Sequence, residues 1–171
     1  MDKQMMELAL EEAGKCDAKE GAFSVGCVLV AHLPNKPPSI ISVGYSRELP
    51  GNTHAEANAL EKARALTTKE LGDKLGLKED EDVPSIDEIL RLTHVYTTLE
   101  PCSVRTSGLA PCADALVAAH ISRCAIGAGE PDDYVQCEGA RKLKDAGIQV
   151  DWLKGLEKEC LAAARKGLTS S

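Results

Sequence analysis

Aromatic side chains are scarce in this chain. It has one tryptophan, three tyrosines and one phenylalanine in 171 residues. Stacking along a single-stranded nucleic acid needs a series of such rings, so that mode of binding is excluded. Positive charge is also short. Twenty Lys and Arg face twenty-seven Asp and Glu, for a formal net charge of −7. A broad grip on nucleic-acid phosphates is not expected, although a small phosphorylated ligand needs only one or two local cations. No apolar run approaches the roughly 18 residues that span a membrane. Met1-Asp2-Lys3-Gln4 lacks the basic and apolar regions of a signal peptide. These absences point to a cytoplasmic or nuclear protein with no nucleic-acid or membrane partner.

What is present fits one domain with a sizeable core, 43% hydrophobic and 27% charged. The seven cysteines are an odd number in a chain without an export signal. They read as thiols or metal ligands rather than a disulfide framework.

In order, Lys3 to Lys19 has the stripe of an amphipathic helix. Ala22 to His32 is apolar and β-branched enough for a central strand buried on both faces. Pro34 to Pro38 is a turn, and Ser39 to Tyr45 a second strand, making an antiparallel hairpin. Pro50-Gly51 marks a loop, Thr53 is an expected N-cap, and a helix follows. Residues 67–91 carry Glu79-Asp80-Glu81-Asp82 and read as an acidic, solvated or partly helical insertion. Strands are then expected at Thr93 to Leu99, Ser122 to Ala128 and Ile148 to Leu153. Helices are expected at Pro111 to His120, Gly139 to Ala146 and Leu156 to Gly167. Glu130 to Tyr134 reads as a turn, and Thr169 to Ser171 as a frayed end. The alternation predicts an α/β fold with a mixed sheet and helices on both faces, in a single domain over 1–171.

Two Pro-Cys dipeptides, Pro101-Cys102 and Pro111-Cys112, stand at strand-to-helix transitions, and His54-Ala55-Glu56 opens an earlier helix. His54, Cys102 and Cys112 supply three ligands for tetrahedral zinc and leave the fourth position open, as catalytic sites do. Both cysteines are expected at helix starts, where the dipole favours a thiolate. Zinc brings the pKa of water to about 7. Glu56, two residues beyond His54, is placed to carry that water's proton to a ring nitrogen and then to a leaving amine. The chemistry is hydrolytic deamination. Alone, a His-X-Glu triplet is common; combined with the two Pro-Cys pairs it is specific. Cys27 and Cys124 read as core packing, and Cys16, Cys137 and Cys160 as incidental thiols. His32, His94 and His120 have no motif around them.

These residues resemble the zinc deaminase superfamily, whose usual signature is H-x-E followed by P-C-x-x-C. The chain departs from it in having nine residues between Cys102 and Cys112. That longer loop resembles the pyrimidine deaminases of riboflavin biosynthesis. The stretches Gly44 to Glu56, Glu100 to Gly108 and Glu130 to Val135 look like the fungal members. The resemblance runs from about Phe23 to Gly167 apart from the acidic insertion, and leaves open a stand-alone form or an isolated domain. It implies a three-layer α/β/α sandwich with a five-stranded mixed sheet, zinc as cofactor and a homodimer. It also implies a substrate, 2,5-diamino-6-ribitylamino-4(3H)-pyrimidinone 5′-phosphate. The polar residues flanking the ligands then become substrate candidates: Asn52 for the ring or ribityl hydroxyls, and Arg105, Thr106 and Ser107 in the inter-cysteine loop. Arg105 suits bidentate phosphate binding. Arg47 is a second candidate, with a surface ion pair to Glu48 as its competing role. Deaminases of cytosine or cytidine nucleotides, of the unreduced ribosylamino pyrimidine or of RNA, and a non-enzymatic zinc domain, are the alternatives.

Overall fold

A computed structural model describes residues 1–105, 108–129 and 138–166. Chain order is α1 (Asp2–Gly14), β1 (Gly26–Ala31), β2 (Ser39–Tyr45), α2 (Ala55–Arg64), α3 (Thr68–Lys74), α4 (Ile86–Leu90), β3 (Thr93–Leu99), α5 (Cys112–Ala118), β4 (Arg123–Ala128), α6 (Gly139–Asp145), β5 (Gln149–Trp152) and α7 (Glu157–Arg165). The five strands form one sheet in the order β2-β1-β3-β4-β5. β1 runs antiparallel to both neighbours, while β3, β4 and β5 are parallel. The mixed sheet and the hairpin are as the sequence predicts.

β1 is buried along its whole length, and its side chains divide by the strand period. Cys27, Leu29 and Ala31 pack on one face with α2, α5 and α6. Val28 and Val30 pack on the other with Met6 and Ala9 of α1 and Cys160 and Ala164 of α7. The result is the expected three-layer arrangement. Among the described residues no helix is long and apolar enough to cross a membrane.

Two helices are seated against the sheet by missing side chains. A Cβ on Gly26 would lie 1.9 Å from the Ala9 carbonyl oxygen of α1. One on Gly44 would lie 2.4 Å from the Ala55 oxygen and 2.7 Å from the Ala59 nitrogen of α2. α2 therefore rests directly on the β2 backbone, with its first turn fixed at the sheet edge.

The region 67–91 is more ordered than its charge suggests. α3 and α4 each begin with a capping box, Thr67 with Glu70 and Ser85 with Glu88. Leu71, Leu75, Ile89 and Leu90 are buried with the α2 face of the core. Most of the region's charged residues, Glu79, Asp80 and Asp82 among them, are exposed as expected of an acidic excursion. The turn proposed at Glu130 to Tyr134 and the frayed end at Thr169 to Ser171 lie outside the described residues.

Candidate active site

β3 ends at Leu99 and delivers Pro101 and Cys102 to the sheet edge, while α2 starts beside it. His54, not Thr53, is the N-cap of α2, in an extended conformation and with no side-chain cap. The Thr53 hydroxyl donates instead to the Leu49 carbonyl at 3.0 Å. Buried Asn58 fixes this entry by donating to Tyr45 O at 2.8 Å and to Thr53 Oγ1 at 3.0 Å. The imidazole makes no cap to its own helix and meets the two cysteines instead. Its Nδ1 lies 3.5 Å from Cys102 Sγ and 3.4 Å from Cys112 Sγ.

All three ligand atoms lie within 4.8 Å of one another. Tetrahedral zinc at about 2.3 Å from sulfur and 2.0–2.1 Å from nitrogen places such N and S atoms about 3.6 Å apart. The residues present therefore fit the ion. Cys112 opens α5 as expected. Cys102 does not start a helix, which corrects the sequence reading. Its sulfur instead accepts the Cys112 main-chain N–H at 3.2 Å, so the same helix start serves both cysteines. The Cys112 thiol, with His54 and that N–H adding to it, holds Cys102 well below the ordinary thiol range against the opposing effect of burial. Pairing with Cys102, and burial, push Cys112 up. A dication reverses the second effect, because it stabilises both thiolates together.

The Cys102 loop is clamped from α6. Glu100 Oε1 accepts Ala140 N–H at 2.9 Å, and Ser103 Oγ accepts Glu138 N–H at 3.2 Å. Lys142 Nζ donates to Ser103 O at 3.0 Å and pairs with Asp114 of α5.

Glu56, in the first turn of α2, is 3% exposed. Burial raises its pKa, which favours a carboxyl that holds a proton nearer neutrality. Thr97 Oγ1 donates to Glu56 Oε1 at 2.9 Å from the adjacent strand. A cavity of about 190 Å³ opens beside the cluster, lined by His54, Glu56 and Cys102 together with Phe23, Arg47 and Asn52. An acid, a metal-ligand triad and a space for a small ring thus meet at one point.

Of the expected substrate residues, Asn52 lines the cavity, and Arg105 stands at the rim, where Nη2 donates to Asn52 O at 2.6 Å. Arg47 lines the wall but does not pair with Glu48, which pairs with Lys62. The Arg47 guanidinium donates to Phe23 O, Asp17 O and Ser24 Oγ. Thr106 and Ser107 lie outside the described residues. The sequence reading missed Phe23, Thr97 and Asn58. Phe23 carried one usable signal, as the chain's single phenylalanine beside a strand start.

Residues 1–128 match the family described as the cytidine and deoxycytidylate deaminase zinc-binding region. The chain belongs to this family. Within it, the chain is 39% identical over 165 residues to the diaminohydroxyphosphoribosylamino-pyrimidine deaminase of Schizosaccharomyces pombe, covering 96% of this chain and 35% of that protein. It spans about a third of the length of the curated relatives that it matches. A crystal structure of the Aspergillus oryzae Rib2 deaminase, a C-terminal deletion mutant at pH 4.6, superposes with a TM-score of 0.76 at 29% identity, covering 99% of this chain and 93% of that one. The same Aspergillus oryzae protein in complex with DARIPP gives a TM-score of 0.73 at 26% identity, over 98% and 92% of the two chains. The family's zinc-binding region takes in both stretches that hold His54, Cys102 and Cys112.

Proposed function

We propose that this chain is a zinc-dependent deaminase of riboflavin biosynthesis. It converts 2,5-diamino-6-ribitylamino-4(3H)-pyrimidinone 5′-phosphate to 5-amino-6-ribitylaminouracil 5′-phosphate and ammonia. The observation that carries this reading is buried Glu56 beside a cavity that also exposes the His54 and Cys102 ligands. The names of the similar fungal proteins support the substrate class.

His54, Cys102 and Cys112 would hold zinc, which supplies water acidified to near-neutral pKa. Glu56 would take one proton from the water and pass it to the ring nitrogen, where it stays, and would then pass the second, from the hydroxyl added at the ring carbon, to the amine that leaves as ammonia. Thr97 keeps Oε1 fixed during these transfers, so the carboxylate does not turn away from the cavity. Asn52 and Arg105 at the rim are assigned to the ribityl hydroxyls and the phosphate, and Thr106 and Ser107, next in sequence, are assigned to the substrate with them. The remaining donors of Arg105 suit an anion. The core shared by α3 and α4 with α2 supports one deaminase domain over 1–171.

The protein is proposed to work in the cytoplasm, where its thiols stay reduced. A homodimer is the proposed assembly. Val104 and Leu109, on the loop between the two cysteines, are 73% and 56% exposed, and a second copy would cover them.

A second reading, the unreduced ribosylamino pyrimidine phosphate as substrate, is favoured by the name of the Schizosaccharomyces pombe relative. Ammonia release from zinc-loaded protein with the ribityl phosphate, the ribosyl phosphate and cytidylate separates the readings. The ribityl compound is expected to react fastest. Preference for the ribosyl compound would move the enzyme to the second reading, and turnover of cytidylate alone would overturn both.

A further inference from the structure

Arg47 occupies an unusual position for a long side chain. Its φ is +65°, a region that residues with a Cβ seldom adopt. Its main-chain N–H donates to Thr53 O at 2.7 Å and so closes the loop that leads into His54. From there the guanidinium reaches the stretch before β1. Nη1 donates to Phe23 O at 2.9 Å, and Nη2 donates to Asp17 O at 2.8 Å and Ser24 Oγ at 3.2 Å. The stretch from Asp17 to Ser24 has no helix or strand of its own, and residues 17–21 are exposed. Yet Gly21, Ala22 and Phe23 line the cavity together with Arg47, Asn52 and Thr53.

We infer that Arg47 is a positioning residue that ties the 17–24 stretch to the 47–53 loop and thereby sets the width of the cavity above Glu56 and His54. Its forked donors reach two carbonyls and a hydroxyl together, which a lysine ammonium cannot reproduce. With the tie in place, one wall of the cavity is ordered before the ring arrives. Without it, substrate must order that wall, and the cost appears in binding. The role in affinity rests on the deaminase reading above, whereas the ordering of residues 17–24 does not.

The test compares wild type with Arg47→Met, Arg47→Lys and Arg47→Gly, all zinc-loaded. Glycine accepts the positive φ and keeps the backbone unstrained if the methionine variant does not fold. Amide hydrogen exchange across residues 17–24 is measured without substrate, alongside zinc content, KM and kcat. The expected result is exchange about tenfold faster in that stretch for Met and Gly, with partial recovery by Lys. Zinc content is expected to hold, with KM raised about tenfold and kcat within about threefold of wild type. Unchanged exchange would overturn the tie, even with a raised KM, because the guanidinium would then be contacting substrate. Faster exchange with KM unchanged would overturn its role in affinity. If wild type does not deaminate the pyrimidine, the exchange result still decides the structural part.

Discussion

The sheet carries polar clusters at both ends, and they are built on opposite plans. At the end where β3 begins, Arg123 is bracketed by Asp2 and Asp151, with contacts at 2.9 and 2.6 Å. Tyr96 Oη donates to Asp2 at 2.7 Å, and the rings of His32 and His94 stack with centroids 3.8 Å apart. Arg123 ties the first turn of α1 to β4 and β5, and each charge has an opposite beside it. At the other end, where β3 delivers Cys102, one imidazole and two sulfurs crowd together. A buried carboxyl stands beside them and accepts from the Thr97 hydroxyl. The charges of the first cluster pair with one another, although His32 Nε2 and His94 Nδ1 are buried without a hydrogen-bond partner. The second is complete only with a cation and a ligand, and that difference, not the number of polar groups, marks it as the chemical end.

The contrast is broken most forcefully at the chemical end. Glu56→Gln keeps the shape and the Thr97 contact but removes the proton carrier. Activity is expected to fall at least about a thousandfold with zinc still bound, read by ammonia release and metal analysis on the same sample. Retained activity would remove Glu56 from the mechanism.

At the closed end the corresponding change is structural. Arg123→Met leaves two carboxylates facing each other and frees the Tyr96 hydroxyl's neighbour. Stability is expected to drop by about 2 kcal/mol in urea unfolding, with kcat per folded molecule unchanged. A loss of kcat would show that the two ends are coupled.

The smallest effect is a pH dependence. Burial lowers the His94 pKa to about 4, with His32 and Arg123 adding to it. The unfolded chain, near 6.5, therefore takes up this proton first. The histidine's contribution to stability is intact above about pH 6.5 and is lost as pH falls toward 4. Asp2, held near 2 chiefly by its hydrogen bond with Arg123, keeps its full contribution above its ordinary value of 3.8 and loses it only as pH falls from there toward 2. His94→Asn should flatten the slope of the unfolding midpoint between pH 6.5 and 4.5 and leave the steeper acid limb in place. An unchanged slope in that upper window would assign it to another group.

Much of the chemical end was legible because its signals are local. Pro-Cys at a strand end and His-X-Glu at a helix start fix ligand types within a few residues, and β3 carries one set to the other. The strands were legible for a similar reason, since Val, Ile and Cys runs bounded by Pro and Gly permit little else. Thr97 was not legible. In a strand it is an ordinary β-former, and its hydroxyl finds Glu56 only after β3 and α2 have packed. Arg47 is a second substrate candidate in the sequence, with an ion pair to Glu48 as the competing role, and nothing in the sequence says that its guanidinium reaches carbonyls 24 and 30 residues away. Residues 67–91 were read by their charge. The Thr67-Glu70 and Ser85-Glu88 boxes that start α3 and α4 were visible in the spacing but were outweighed by the acidic run. Thr53 shows the limit of cap rules, since its hydroxyl oxygen accepts from the Asn58 side chain rather than from a main-chain N–H of α2.

Gly44 gives the chemical end a hidden vulnerability to mutational drift. It touches neither ligand nor cavity, and a survey of reactive groups would pass over it. Yet any methyl there would meet the Ala55 oxygen at 2.4 Å, so α2 would have to retreat on the order of 1 Å to reach ordinary carbon–oxygen separation. His54 rides on the start of that helix, whereas the cysteines ride on β3 and α5. Metal sites tolerate errors of about 0.2 Å. A neutral-looking alanine in the second strand would therefore be inherited as a defect in metal affinity.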